Sequence, residues 1–256
     1  MKTSGPTPDS PDYARIIKQL QKTGIIQERK DFPRTTVFNI LGKELGSSED
    51  IACAIDPFAY ISHLSAMVYH GLTDRIPQVL FISTPTRQKW HELARERKAT
   101  DLGDDVEAHG LSKLPVLLRM EFSKIGKRPV NRYASLHLGA FKLVKSKSLR
   151  VSTIGRTFLD MLRKPEFCGG IHHVLAVFEE FGERYIDLIA DEIDRHGKKI
   201  DKVRAGYIME EHCGLNSERF EPWLGAVQRG GSQKLDPSAE YRETYSERWC
   251  LSINID

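Results

Sequence analysis

Residues 60–84 read YISHLSAMVYHGLTDRIPQVLFIST, and how this stretch is parsed decides the fold. Small and apolar residues recur at helical spacing through Ala66 and Met67, and Pro57 stands just upstream. The pattern predicts a helix over 58–72 introduced by that proline. The apolar run QVLFIST then predicts a buried strand, and Pro85 opens the charged helix TRQKWHELARERK. Helix, strand and helix in succession indicate α/β architecture. On the predicted helix, His63 and His70 share a face but stand about 10.5 Å apart along its axis. A single metal ion cannot take both, because helical ligand pairs sit three or four residues apart. Histidines that pack and donate hydrogen bonds are the plainer reading, with a role for either one singly left open.

Upstream, residues 1–12 read as a flexible leader. DYARIIKQLQKTG predicts a short helix, with Tyr13, Ile16, Ile17 and Leu20 on one face and Gly24 as its stop. IIQERKDFPRTTVFNIL predicts two strands around a turn at 30–33. Outward Arg15, Lys18 and Lys22, followed by Arg29, Lys30 and Arg34 on the hairpin, have the layout of a recognition helix and a wing. A short helix before a hairpin also occurs without any DNA role. SSEDIACAI predicts a helix capped by Ser47 or Ser48.

Downstream, residues 113–150 alternate as strands do, and GRTFLDMLRKP predicts a helix. A long amphipathic helix is predicted over 170–196, burying Val174, Val177, Phe178, Phe181, Tyr185, Leu188 and Ile189. Asp191 and Glu192 fall on its solvent side. KIDKVRAGYIMEEHCGL predicts a further helix closed by Gly214, and RWCLSINI a final strand. The fold class is therefore α/β (α+β). A winged-helix-like part over 13–85 precedes a mixed α/β domain with C-terminal helices over 86–256.

The chain of 256 residues carries 40% hydrophobic and 29% charged residues, an ordinary globular balance. Its net charge is only +3, but the charge is unevenly placed. Residues 113–150 hold ten Lys or Arg against the single acid Glu121. This run includes Lys124, Lys127, Arg128, Arg132, Lys142, Lys145, Lys147 and Arg150, interleaved with Phe122, Tyr133 and Phe141. Such a surface suits an anionic partner, nucleic acid or an acidic protein face. Four scattered cysteines without a CxxC pair fit neither a zinc finger nor a disulfide scaffold. With no signal-like leader and no apolar run near 20 residues, a cytoplasmic protein is expected.

Other candidates are weaker. The IHH triplet at 171–173 follows two glycines that could free backbone amides for an anion, or simply turn the chain. QRGGSQKLDP at 228–237 lacks the spacing of a phosphate loop. The carboxylates in DEID and MEEH invite a metal-dependent nuclease or hydrolase, but no D…(D/E)xK spacing accompanies them. No metal ligands and no cofactor are expected.

Two blocks resemble a known family. YISHLSAMVYHGLTDRIPQVLFIST and LRVSTIGRTFLDMLRKPEFCGGIHHVL are similar to the two conserved blocks of AbiEi-family antitoxins, in the same order and spacing. The resemblance spans roughly residues 13–200. It implies a type IV toxin–antitoxin protein, serving phage defence by abortive infection. In that family a winged helix binds operator DNA as a transcriptional regulator, and a second domain opposes an AbiEii-type nucleotidyltransferase toxin without a stable complex. The positions carried over are Ser62, His63, Ser65, Ala66, His70 and Gly71 in the first block. In the second they are Arg156, Thr157, Asp160, Leu162, Gly169 and Gly170, with Arg156, Thr157 and Asp160 expected to form a local polar cluster. None implies catalysis, so the resemblance implies a protein that is not an enzyme. One departure is the short stretch before the first helix, which leaves the expected winged helix seemingly truncated.

Overall fold

The computed structural model describes residues 11–33, 37–43, 46–103, 117–135, 138–145, 148–230 and 233–255. The chain opens with helix α1, Pro11–Lys22, and a hairpin of β1, Ile26–Glu28, and β2, Phe38–Ile40. These strands pair antiparallel, Gln27 opposite Asn39. Helix α1 buries none of its residues, and the buried anchor of this part is Phe32 in the hairpin turn. Helix α2, Ser48–Ile55, starts at a capping box in which the Ser47 hydroxyl accepts from the Asp50 amide at 3.2 Å.

The segment expected as one helix over 58–72 instead splits. It forms strand β3, Tyr60–Ile61, then helix α3, His63–Tyr69. Tyr60 and Ile61 are β-formers, both buried, and their ladder contacts outweigh the helical pattern around them. Strand β4, Leu80–Pro85, and helix α4, Arg87–Leu102, follow where the residues predict a strand and a helix, but Pro85 ends the strand instead of opening the helix, which Thr86 caps. Then come β5, Lys124–Ile125; β6, Arg128–Ser135; β7, Phe141–Leu143; and β8, Arg150–Ser152. Residues 117–123 lie outside any strand, although they belong to the stretch 113–150 expected to alternate as strands.

Six strands join in one mixed sheet, ordered β5-β6-β4-β3-β8-β7. β4 runs parallel to β6 and antiparallel to β3, while β3 runs parallel to β8. The boundary expected at residue 85 therefore cuts through a single sheet. One hydrophobic core, with Cys53, Ile61, Leu80, Ile82 and Val151, lies between this sheet, α2 and Phe32.

The second core is helical. It contains α5, Ile154–Arg163; α6, Ile171–Phe181; α7, Ile186–His196; and α8, Lys199–Gly206, which runs on into a π-turn over Tyr207–His212. The helix expected over 170–196 is thus two helices. Gly182 lowers helical propensity at the break, and Tyr185 stacks back on Phe181 at 6.4 Å, which redirects the chain. After the break Ile189 is buried as expected, but Leu188 faces water at 50% exposure and Glu192 is buried at 7%, the reverse of the expectation for those two. Gly169 and Gly170 both take φ +91 before α6, a conformation that side-chain-bearing residues rarely adopt. A short pair closes the chain: β9, Tyr245–Ser246, against β10, Leu251–Ser252. Among the described residues no helix is long and apolar enough to cross a membrane.

Candidate functional site

The two blocks singled out in the sequence meet where the sheet packs on the helical core. From the first, Tyr60 Oη accepts from the Gly139 amide at 3.3 Å, and Ser83 Oγ donates to Ser62 Oγ at 2.9 Å. Ser62 Oγ in turn lies 2.8 Å from His63 Nδ1. From the second block, Arg156 Nε donates to Asp160 Oδ1 at 2.9 Å, and Arg156 Nη1 stands 3.9 Å from Glu192 Oε1 on α7. Arg156, Asp160 and Glu192 are all buried, at 1%, 2% and 7% exposure. Thr157, also buried, shares a hydrogen bond with Ser152 at 2.8 Å. Arg156 Nη1, Asp160 Oδ2, Glu192 Oε1 and His63 Nε2 are buried without hydrogen-bond partners among the described residues. Gly155 allows this assembly, because a Cβ there would run into the Leu188 carbonyl and hold α7 off α5.

His63 and His70 do not share a helical face. His63 opens α3 at φ +50, and its ring sits edge-on to Tyr133 and Phe167, each at 5.3 Å. His70 ends the helix, with Nε2 2.7 Å from the Ser152 carbonyl oxygen. Each histidine joins α3 to a different neighbour. Ser62–His63 has the residue types of a nucleophile and its base, but both are sealed from solvent, so no substrate reaches them.

The remaining motif positions also join the blocks. Ser65 Oγ accepts from the Phe81 amide at 3.0 Å, and Ala66 is fully buried. Beyond Gly71, which turns the chain at φ +68, Thr73 Oγ1 lies 3.0 Å from His173 Nε2. Arg75 Nη1 donates to the Gly169 carbonyl at 3.1 Å.

Burial sets the protonation of this junction. Desolvation holds His63 and His70 below their ordinary value of 6.5, and the Ser152 carbonyl only partly offsets this at His70. Desolvation also raises Glu192 above its ordinary 4.5, against the pull of Arg156. The unfolded chain binds protons as pH falls through 6.5 while the folded imidazoles stay neutral, so this contribution to stability is lost on acidification. Glu192 acts in the opposite sense, losing stability as pH rises above 4.5. His70→Gln is therefore expected to show a smaller fall in melting temperature than the unsubstituted chain between about pH 7.5 and about 5.5. Equal falls would remove His70 from this account.

Three arginines of the basic run are engaged within the fold, two of them by acids far away in sequence. Arg128 pairs with Glu49 at 2.6 Å, and Arg132 with Asp56 at 3.3 Å and with Glu121. Arg150 donates to the carbonyls of Cys53, Ala59 and Asp56. These three arginines brace the sheet and do not belong to a phosphate-binding surface, contrary to the expectation above. Lys124, Lys127, Lys142 and Lys145 stay exposed, and Lys147 lies outside the described residues. At the N-terminal part Lys18, Lys22 and Lys30 are exposed, while Arg15 pairs with Asp12 at 3.0 Å. Arg29 is occupied by Asp31 at 2.7 Å and lies over the Phe32 ring, so it is not poised for phosphate either. Arg34 lies outside the described residues.

A cleft of about 570 Å³ lies between the β7–β8 hairpin and α7, bordering the junction. No family model matches this chain. None of the curated proteins matches it either.

Two participants escaped the sequence reading. Glu192 sat in an acidic stretch whose pattern read as solvated. Asp56, 2% exposed, accepts from Trp90 Nε1 at 3.0 Å and from Thr84 Oγ1 at 2.7 Å. A lone Asp before Pro57 gave no signal of that role. Among the described residues no group of three or more His, Cys, Asp or Glu is gathered as a metal site requires.

Proposed function

We propose that this chain is the non-enzymatic antitoxin of a type IV toxin–antitoxin pair, opposing an AbiEii-type nucleotidyltransferase toxin and repressing its own operon through operator DNA. The observation that carries the reading is the meeting of the two AbiEi-like blocks. Residues about ninety positions apart, recognised separately in the sequence, interlock through Thr73–His173, Arg75–Gly169 and His70–Ser152. DNA contact rests on α1 and the hairpin, where Lys18, Lys22 and Lys30 are exposed and would meet phosphates with a steep salt dependence. A second reading draws on the exposed Lys124, Lys127, Lys142 and Lys145, which could dock RNA or an acidic protein. It predicts no preference for operator over random duplex.

The test is growth rescue by the full chain co-expressed with the adjacent open reading frame, which this reading expects to be toxic when induced alone. The double substitution Lys18→Glu, Lys22→Glu is expected to abolish the operator mobility shift and leave rescue intact. Failure of the unsubstituted chain to rescue would sink the antitoxin reading. Loss of rescue in a folded double variant would sink the division of labour.

A further inference from the structure

We propose that two copies of this chain pair through the apolar face of α1 and its continuation on the β1–β2 hairpin, a contact that stands apart from the antitoxin reading. Among the described residues 11–33 and 37–43, Phe32 alone is buried. A helix of 12 residues and a two-stranded hairpin are each marginal in water unless a face is packed. Apolar side chains are nevertheless plentiful here. Ile16, Ile25, Ile40 and Leu41 stand 41%, 44%, 53% and 74% exposed, and Ile17 and Leu20 are only half-buried.

These residues are neighbours. Ile16, Ile17 and Leu20 recur at helical spacing on one face of α1. The Leu20 carbonyl accepts from the Ile25 amide at 3.0 Å, and the Ile25 carbonyl accepts from the Leu41 amide at 2.9 Å. Ile40 stands opposite Ile26 in the ladder. The apolar surface therefore runs from the helix onto the hairpin, and a cluster of this kind marks a contact with another macromolecule.

The placement of charge selects a second copy as that macromolecule. At about 100° per residue, Arg15, Lys18 and Lys22 centre roughly opposite the apolar face. A bilayer surface that took up the apolar face would leave these cations turned away from its headgroups. Phosphates would meet the cations and leave the apolar face in water. The flanks of that face carry Ala14, Gln19, Gln21 and Asp12, and Asp12 is already answered by Arg15 of the same helix at 3.0 Å. No like charges are therefore opposed when the same face of two copies meets, and an antiparallel two-fold arrangement also sets the helix dipoles favourably.

The experiment is sedimentation equilibrium of the full chain between about 1 and about 200 µM, with hydrogen exchange followed at both ends of the range. A reversible monomer–dimer equilibrium is expected, and exchange in α1 and the β1–β2 hairpin is expected to slow as the dimer forms. The variant Ile16→Asp, Leu41→Asp, altered only at exposed positions, is expected to weaken the dimer by about tenfold or more. Ile76→Asp, at an apolar residue 83% exposed elsewhere on the surface, is expected to leave it unchanged. A chain that stays monomeric at about 200 µM overturns the proposal, even if α1 is protected, because the chain itself then covers the face. It is overturned as well if a dimer survives Ile16→Asp, Leu41→Asp intact, if Ile76→Asp weakens it equally, or if α1 exchanges alike at both concentrations.

Discussion

Arg156→Ala is expected to destabilise the protein by about 3–5 kcal/mol, the cost of leaving buried carboxylates without their cation. The guanidinium is 1% exposed, packed under Gly139 and flanked by Asp160 and Glu192. Burial works against its charge, but Asp160 and Glu192 outweigh that penalty and hold it firmly protonated. Removing it strands two acids in a low-dielectric interior, where they must either take up protons or draw in water. The triple variant Arg156→Met, Asp160→Leu, Glu192→Leu is expected to recover most of the loss, because no charge is then left unpaired. Urea unfolding of the three proteins measures both effects. If Arg156→Ala stays within about 1 kcal/mol of the unsubstituted chain, the junction is not held by this charge. Failure of the triple variant to recover would show that shape, not charge, sets the cost.

Trp249→Ala is expected to cost a similar amount, about 3–5 kcal/mol, by a different route. The indole is fully buried in the helical core, lies against Gly206 where a Cβ would collide with it, and donates from Nε1 to Glu210 at 2.9 Å. Truncation leaves a large cavity and removes one of the two donors to Glu210 Oε2, the other being Arg248 Nε at 2.7 Å, whereas Trp249→Phe keeps much of the packing and loses chiefly the hydrogen bond. In a chain of this length the alanine variant should melt roughly 10 °C lower, with phenylalanine between the two. A shift of under about 2 °C for alanine would mean that the segment carrying β9 and β10 contributes little to the helical core.

The elements legible in the sequence are those whose causes are local. Ser47 and Asp50 cap α2 within four residues, QVLFIST forms β4 because its apolar run is short and continuous, and the hairpin of β1 and β2 follows from alternation around a turn. The polar character of Arg156, Thr157 and Asp160 was also visible, because residue identity and spacing are written along the chain. What the tertiary structure alone decided is which groups share an environment. Tyr60 and Ile61 became strand because β4 and β8 flank them, against a helical pattern. Arg128 and Arg132 left the basic surface because Glu49 and Asp56, more than seventy residues away in sequence, reach them across the sheet. Glu192 became buried because Gly155 lets α7 close on α5. Charge and polarity are properties of a residue, but desolvation and pairing belong to its neighbours, and those neighbours are set only when distant segments pack.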